Sequence, residues 1–346
     1  MANFADVPAM RASPRPLGDP PPSHSHLSID NIYHGDSREL LKHIVVESVA
    51  LSFWSPPYFV GKTYEKGVTF RDWQDMLREV IRLHEPILRP GGFLVVNIAD
   101  ILCFADPTIP RFQAESYGAN RLPVSREDIL AVMAEHPGAN RHEVARILGV
   151  SEQTVDRRMK NNNVRGGKYA PQTRVQLVGG FLESAANDAG LPLYDRRVWV
   201  KDPAWENSQW HSNSFRAVDE FEHLYFFWKP GITQVDRRRL KREEWSEWGS
   251  RAVWNIRSVR TNDDHEAKFP PELPRRMIRL LTDPGELVLD CFVGSGTTAV
   301  EAIRHGRHYI GIDKETAYAA LAVKACKKAH RDQVGLFTEN GKTDEH

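Results

Sequence analysis

Two stretches of the chain, Ser55-Pro56-Pro57-Tyr58 and Cys291 to Ala299, combine residue types that can do chemistry. In the first, consecutive prolines fix φ twice and remove two backbone donors. Ser55 and Pro56 each precede a proline and are held extended. The result is a rigid loop that offers carbonyls and a hydroxyl, with an aromatic ring directly after them. That set suits a planar amine: acceptors take its two amino hydrogens while the ring stacks on its plane. By itself, the tetrapeptide leaves a second reading open, a proline-stiffened turn at a strand end.

The second stretch begins where Leu287-Val288-Leu289-Asp290, a buried strand by pattern, runs into Cys291-Phe292-Val293-Gly294-Ser295-Gly296-Thr297-Thr298-Ala299. A helix follows through Val300 to His305, then a strand from Tyr309 that ends in the carboxylate of Asp313. Glycines let backbone approach a ligand where a Cβ would clash. The helix N-terminus beyond them offers unpaired N–H groups. Asp313, about 20 residues on, can accept hydrogen bonds from two ribose hydroxyls. Gly294-x-Gly296-x-x-Ala299 also satisfies the dinucleotide fingerprint. On this loop alone, a nicotinamide dehydrogenase and a merely structural turn both stay open; the tetrapeptide upstream decides against them.

The elements that must carry these loops are legible around them. Ser48 to Trp54 is a short apolar run suited to a buried strand, and it delivers the tetrapeptide. Trp73 to Leu88 has helical spacing closed by Pro90-Gly91-Gly92, and Phe93 to Ile98 is another buried strand. Strand-like text returns at Val198 to Val200 and at Leu224 to Trp228. From Ile29 onward helices and apolar strands alternate, which predicts an α/β fold: a mostly parallel sheet with helices on both faces.

Between Pro123 and Lys168 the pattern changes to three short helices, Arg126 to Glu135, Arg141 to Leu148 and Glu152 to Asn161. Ala145, Gly149 and Val155 have helix-turn-helix spacing: a small residue at the crossing, glycine at the turn, an apolar anchor beyond. The second helix of that unit would expose Gln153, Thr154, Arg157, Arg158 and Lys160, types able to read major-groove edges or hold phosphates. From Arg141 to Arg174, eight basic residues are opposed only by Glu143, Glu152 and Asp156. The competing reading is a structural or dimerising insert. The run Arg237 to Arg242 reads equally as a solvated helix or a phosphate contact.

In order and content the chain resembles the amino-methylating DNA methyltransferases of the β arrangement. There, an S/D/N-P-P-Y/F/W motif precedes the cofactor loop, with a target-recognition region between. Tyr33-His34-Gly35-Asp36 ahead of the tetrapeptide and Leu88 to Gly92 after it belong to the same pattern. So does His265-Glu266-Ala267-Lys268-Phe269-Pro270 with Leu273-Pro274, just before the glycine loop. The resemblance covers most of residues 30 to 325.

It implies a Rossmann-like methyltransferase sheet, S-adenosyl-L-methionine as cofactor and double-stranded DNA as partner. Ser55 and the carbonyl of Pro56 would accept hydrogen bonds from the target amine, Pro57 would stiffen the corner, and Tyr58 would stack on a flipped base. Asp36 would meet the cofactor's adenine. Asp290, Phe292, Gly294, Gly296, Thr297 and Thr298 would line its methionine and ribose portion, and Asp313 would bind the ribose. His265, Lys268, Phe269 and Pro270 would close over the methionine end. Cys291 stands where proline is frequent in the family; being in the cofactor loop, it is not the nucleophile of a ring-carbon methyltransferase.

Serine at the first motif position is commoner among cytosine-N4 enzymes and aspartate among adenine-N6 enzymes. Cytosine N4 is therefore the expected target and adenine N6 the alternative. RNA or protein-glutamine methyltransferases usually place the cofactor loop first. A non-catalytic helix-turn-helix DNA-binding protein would need neither loop. A cognate restriction endonuclease and a homodimer stay open.

The bulk numbers are compatible with all this. A hydrophobic fraction of 41% and a charged fraction of 27% belong to a soluble globular protein. Net charge is zero, so any attraction to DNA must come from local patches. Cys103, Cys291 and Cys326 form no C-x-x-C pair, which argues against a disulfide scaffold and a thiolate metal site, and no metal is expected. No apolar run approaches bilayer length and no signal-peptide core is visible, so a cytoplasmic protein, nucleoid-associated through DNA, is expected. The expected organisation is a disordered proline-rich arm over 1–27, a catalytic half over 28–122 and an inserted recognition segment over 123–168. The rest of the catalytic half, with target-recognition elements, follows over 169–262, then a cofactor half over 263–330 and a tail over 331–346.

Overall fold

The computed structural model describes residues 26–59, 68–105, 108, 124–159, 173–203, 217–233, 235–259 and 269–339. Its elements begin with β1 (Asn31–His34), α1 (Ser37–Leu40), β2 (Val49–Trp54), α2 (Phe70–Ile87), β3 (Leu88–Ile98) and β4 (Ile101–Ala105). Next come α3 (Arg126–Glu135), α4 (Arg141–Leu148), α5 (Glu152–Met159), β5 (Thr173–Gln176), α6 (Gly179–Asp188), β6 (Leu193–Val200) and β7 (Phe221–Trp228). The chain closes with α7 (Arg242–Glu244), β8 (Val253–Asn255), α8 (Glu272–Leu281), β9 (Leu287–Asp290), α9 (Thr297–Arg304), β10 (His308–Asp313) and α10 (Thr316–Glu339). Two units are distinct: Met1–Ile101, Leu177–Asp202 and Glu220–His346 form one, Leu102–Gln176 and Pro203–Asp219 the other.

The first unit is an α/β layer built on an eight-stranded sheet of order β1-β10-β9-β2-β3-β7-β6-β8. The run from β1 to β3 is parallel; β7 lies antiparallel between β3 and β6. All six residues of β2 are buried, as expected of a strand covered on both faces. Its side chains alternate between the two layers. Leu51 and Phe53 join a core with Leu273, Met277 and Ile278 of α8 and Ala299, Ala302 and Ile303 of α9. Ser52 and Trp54 turn the other way, to His84 of α2.

One detail departs from the sequence expectation. Pro90-Gly91-Gly92 was expected to close the helix, but α2 already ends at Ile87 and the three residues lie inside β3. Gly91 has φ 79°, where a side chain is strained, and a Cβ there would meet the Ile232 carbonyl. The glycine therefore serves close approach of the 231–233 turn rather than a helix stop. At the other end, α10 runs unbroken past residue 330, so the expected tail begins as helix. The expected proline-rich arm lies, but for its last residues, outside the described residues.

The second unit contains α3, α4 and α5, which start and stop where the sequence indicates as far as Met159. Val124, Ile129, Val144, Ala145 and Val155 form its buried centre. Gly149 ends α4 in the left-handed conformation, φ 65°, and the Val150 N–H returns to the Ala145 carbonyl. The residue types picked out by spacing thus occupy a helix-turn-helix-like trio.

Candidate active site

Strand order reverses between β9 and β2: β9 leads through α9 to β10 on one side, β2 through α2 to β3 on the other. In an open α/β sheet such a reversal leaves a crevice at the carboxyl ends of the two strands. β2 and β9 are parallel neighbours, with Ser52 beside Leu289, so the tetrapeptide and the glycine loop leave the same edge side by side. The Trp54 and Phe292 rings meet edge-on at 5.2 Å. Ser37, at the start of α1, donates its hydroxyl hydrogen to the Cys291 carbonyl and ties a third loop to this edge.

The tetrapeptide is held from below. His84 Nδ1 lies 2.7 Å from the Val80 carbonyl and must donate to it, which leaves Nε2 to accept from Ser52 Oγ at 2.9 Å. The Trp54 indole N–H points at the same Nε2. Burial lowers the His84 pKa to about 4, so the ring is neutral and this acceptor persists. Trp73 Nε1 donates to the Pro57 carbonyl at 2.8 Å, while among the described residues no donor meets the Pro56 carbonyl. Tyr58 Oη donates to Glu222 Oε2 at 2.7 Å, and Ser55 Oγ donates to Tyr58 Oη at 3.2 Å. Burial first, then the Glu222 charge, push the Tyr58 pKa well above its usual value and keep it protonated.

On the other side of the crevice, Gly294 and Gly296 take positive φ, 51° and 87°. A Cβ on Gly296 would lie 2.9 Å from the Ala322 backbone, so only glycine fits where the loop passes under α10. Asp313 closes β10 and accepts the N–H groups of Gly294 and Glu315 at 2.9 and 2.8 Å. Burial raises its pKa. Asp290 Oδ1 accepts the Phe292 N–H at 3.0 Å. Among the described residues only the Thr298 hydroxyl bears on its buried Oδ2, and neither atom completes a well-formed hydrogen bond there. Burial lifts the Asp290 pKa to about 7. A narrow glycine cradle, an unsatisfied buried carboxylate oxygen and a strand-end carboxylate fit a ligand carrying an ammonium group and a ribose. Cys291 is fully buried and its pKa is pushed well up by burial, so it stays an unreactive thiol.

The model of the DNA methylase family, N6_N4_Mtase, matches residues 49–324. The chain belongs to that family. Type II methyltransferase M.BglI of Bacillus subtilis is 59% identical over 302 residues, covering 87% of each chain. Type II methyltransferase M.Cfr9I of Citrobacter freundii is 33% identical over 300 residues, 84% of this chain and 86% of that one. The fold is shared with TTHA0409 of Thermus thermophilus complexed with S-adenosyl-L-methionine, at TM-score 0.55, 23% identity and coverage of 86% and 93%. It is shared too with the cytosine-N4-specific PvuII DNA methyltransferase, at TM-score 0.53, 20% identity and coverage of 89% and 92%. The protein is thus an S-adenosyl-L-methionine-dependent DNA methyltransferase of the amino-methylating, β arrangement.

For this family member the remaining expected residues fall as follows. Asp36 caps α1 and is gripped by Arg38, Nη2 at 2.7 Å and Nε at 3.0 Å, which lowers its pKa. Phe269 packs its ring on Phe53 at 5.4 Å, and Pro270 is buried at the head of α8. His265 and Lys268 lie outside the described residues. In the helical unit, Thr154 Oγ1 is engaged by Ser151 Oγ at the start of α5. Gln153 is exposed and Arg158 half-buried; the Arg157 side chain and Lys160 lie outside the description. Arg141 pairs with Glu152 and Asp156, which reduces the basic surface counted from sequence.

In the run 237–242, Arg238 pairs with Asp236, Arg239 with Asp283, and Arg237 stacks over Trp245. A cavity of about 620 Å³ opens beside Arg237, Arg242, Trp245 and Arg251. None of its lining residues belongs to the two loops, and the chemistry argues for the crevice instead. Sequence reasoning missed His84, Glu222 and Lys201. Each has polar neighbours in the chain, His84 beside Glu85, Lys201 beside Asp202 and Glu222 beside His223, so no local pattern marked it.

Proposed function

We propose that this enzyme methylates the N4 amino group of cytosine within a specific DNA sequence, on a base turned out of the duplex. The observation that carries the reading is the shared edge: the tetrapeptide and the glycine loop end adjacent parallel strands on either side of the reversal point. An exocyclic amine conjugated to its ring is a poor nucleophile. Hydrogen bonds from its two N–H groups to Ser55 Oγ and the Pro56 carbonyl hold nitrogen with its lone pair aimed across the crevice. The Pro57 carbonyl is already taken by Trp73, whereas the Pro56 carbonyl has no donor among the described residues.

S-adenosyl-L-methionine supplies a methyl group already activated on a sulfonium. The amine lone pair would form the new N–C bond as the C–S bond breaks, the bonding pair passing to sulfur, and the proton lost from nitrogen would pass to solvent water. What the chain contributes is orientation and acceptors for developing positive charge. Asp290, Asp313 and the Gly294–Gly296 turn, with Phe292, Thr297 and Thr298, hold the cofactor. Asp36 meets its adenine, and the segment of His265, Lys268, Phe269 and Pro270 covers its methionine end. Turning the base out costs roughly a few kcal/mol, supplied by contacts elsewhere on the DNA. Gln153, Thr154, Arg157, Arg158 and Lys160, the residues expected to face DNA, contribute some of them. Ser55 at the first motif position supports cytosine over adenine. The relatives named type II methyltransferases support a restriction-modification setting with a cognate endonuclease.

Nucleoside mass spectrometry on DNA from a host expressing the protein tests the target. N4-methylcytosine is expected; N6-methyladenine in its place overturns the base assignment. Ser55→Ala is expected to abolish methyl transfer, by about 100-fold or more in kcat, while calorimetric titration finds cofactor affinity unchanged. Lost cofactor affinity in a folded Ser55→Ala protein would contradict the role.

A further inference from the structure

A buried ion pair, Lys201 with Glu222, lies beneath the tetrapeptide, apart from the residues assigned to the amine and the cofactor. Glu222 is the second residue of β7 and is 7% exposed. Lys201, just past β6, donates to its Oε1 at 2.9 Å; both side chains are largely shielded. The two strands are antiparallel neighbours, with Trp199 beside Glu222, so the pair is fixed by sheet register. Glu222 Oε2 accepts the Tyr58 proton at 2.7 Å, and Tyr58 Oη in turn receives the Ser55 hydroxyl hydrogen at 3.2 Å.

The directions in this chain are forced. A carboxylate locked by a lysine can only accept, so Tyr58 must donate to it. A phenol has one hydrogen; once it is committed, Tyr58 Oη can only accept from Ser55. Ser55 then directs its own hydrogen to Tyr58, which leaves its two lone pairs to accept. A serine hydroxyl otherwise rotates freely and can equally present its hydrogen, which would oppose an incoming N–H. We propose that Glu222, locked by Lys201, is the positioning residue that makes Ser55 an obligate acceptor for the target amine, acting through the Tyr58 hydroxyl. The inference rests on the reading of Ser55 and Tyr58 as the amine and base contacts. The 3.2 Å link is long for an O–H···O bond and is expected to tighten when the amine engages Ser55.

The decisive variant is Glu222→Gln, which keeps the shape. Lys201 demands the amide oxygen, so the amide N–H faces Tyr58, the phenol donates to Ser55 instead, and the serine hydrogen is turned towards the amine. The expected result is a fall in kcat of about 100-fold with KM for DNA and calorimetric cofactor affinity within about twofold of wild type. Tyr58→Phe keeps the stacking ring and frees Ser55 to rotate, so a fall of about 10-fold in kcat is expected. In the Tyr58→Phe background, adding Glu222→Gln is expected to cost nothing further, because the connecting hydroxyl is gone.

Wild-type kcat in folded Glu222→Gln, or an undiminished Glu222→Gln penalty without the tyrosine hydroxyl, overturns the inference. If Glu222→Gln does not fold, Tyr58→Phe decides alone, since it leaves the ion pair intact: a wild-type kcat there overturns it. Ser55→Ala separates the two levels. Full activity in Ser55→Ala removes the underlying reading, whereas an inactive Ser55→Ala beside a fully active Glu222→Gln removes only this inference.

Discussion

At the scale of single residues, the crevice is defined by groups whose protonation is set by burial. Asp290 is the sharpest case, with its pKa at about 7 against an ordinary 3.8. The folded protein keeps a proton there that the unfolded chain has already released. Stability therefore falls as pH rises from about 4 to about 7 and levels off above. Asp290→Asn removes that titration. In thermal melts the variant is expected to exceed wild type by several degrees at pH 8 and to show little advantage near pH 4. Calorimetry should also find weaker cofactor binding, since an amide cannot carry negative charge towards a cationic ligand. Equal melting temperatures at pH 8 would refute the assignment of Asp290 as a buried, strained acid. Asp313→Ala, at the end of β10, is expected to weaken cofactor binding as well, but to leave the fold in place.

At the scale of elements, two glycines in the same left-handed conformation make different demands. Gly149, at the end of α4, faces open space; alanine there is strained only in its backbone, by about 1 kcal/mol. Gly296, at the start of α9, has φ 87°, and a methyl group added there would lie 2.9 Å from the α10 backbone. Gly296→Ala is expected to cost several times more in denaturant unfolding and to weaken the cofactor, as α10 must move or the loop must open. Comparable costs for the two variants would show that α10 yields easily. The same logic places α2. Its His84 accepts from Ser52 and Trp54, so the helix sets the height of the strand end from which Ser55 emerges.

At the scale of the whole molecule, a net charge of zero means that DNA attraction depends on local surfaces. If Arg157 and Arg158 hold phosphates, replacing both by alanine removes about two released counterions. The slope of log affinity against log salt is then expected to flatten by roughly 1.8. An unchanged slope in filter-binding or anisotropy titrations would assign α5 a structural part. No helix among the described residues is long and apolar enough to cross a membrane.

The sequence by itself determined the local chemistry: a proline corner with acceptors, a glycine turn with a carboxylate beyond it, and three short helices with a glycine turn between two of them. These depend on residues a few positions apart, where φ restrictions, capping and apolar period act directly. It also carried the order of the motifs, and with it the family. The tertiary structure alone decided which polar residues meet. Glu222 reaches Tyr58 only because β7 enters the sheet antiparallel beside β3, and Lys201 reaches Glu222 only through the β6–β7 register. His84 finds Ser52 because alternate residues of β2 turn to opposite layers. Hydrogen bonds between residues far apart in the chain form only once packing has fixed both ends, and no spacing along the chain encodes that distance.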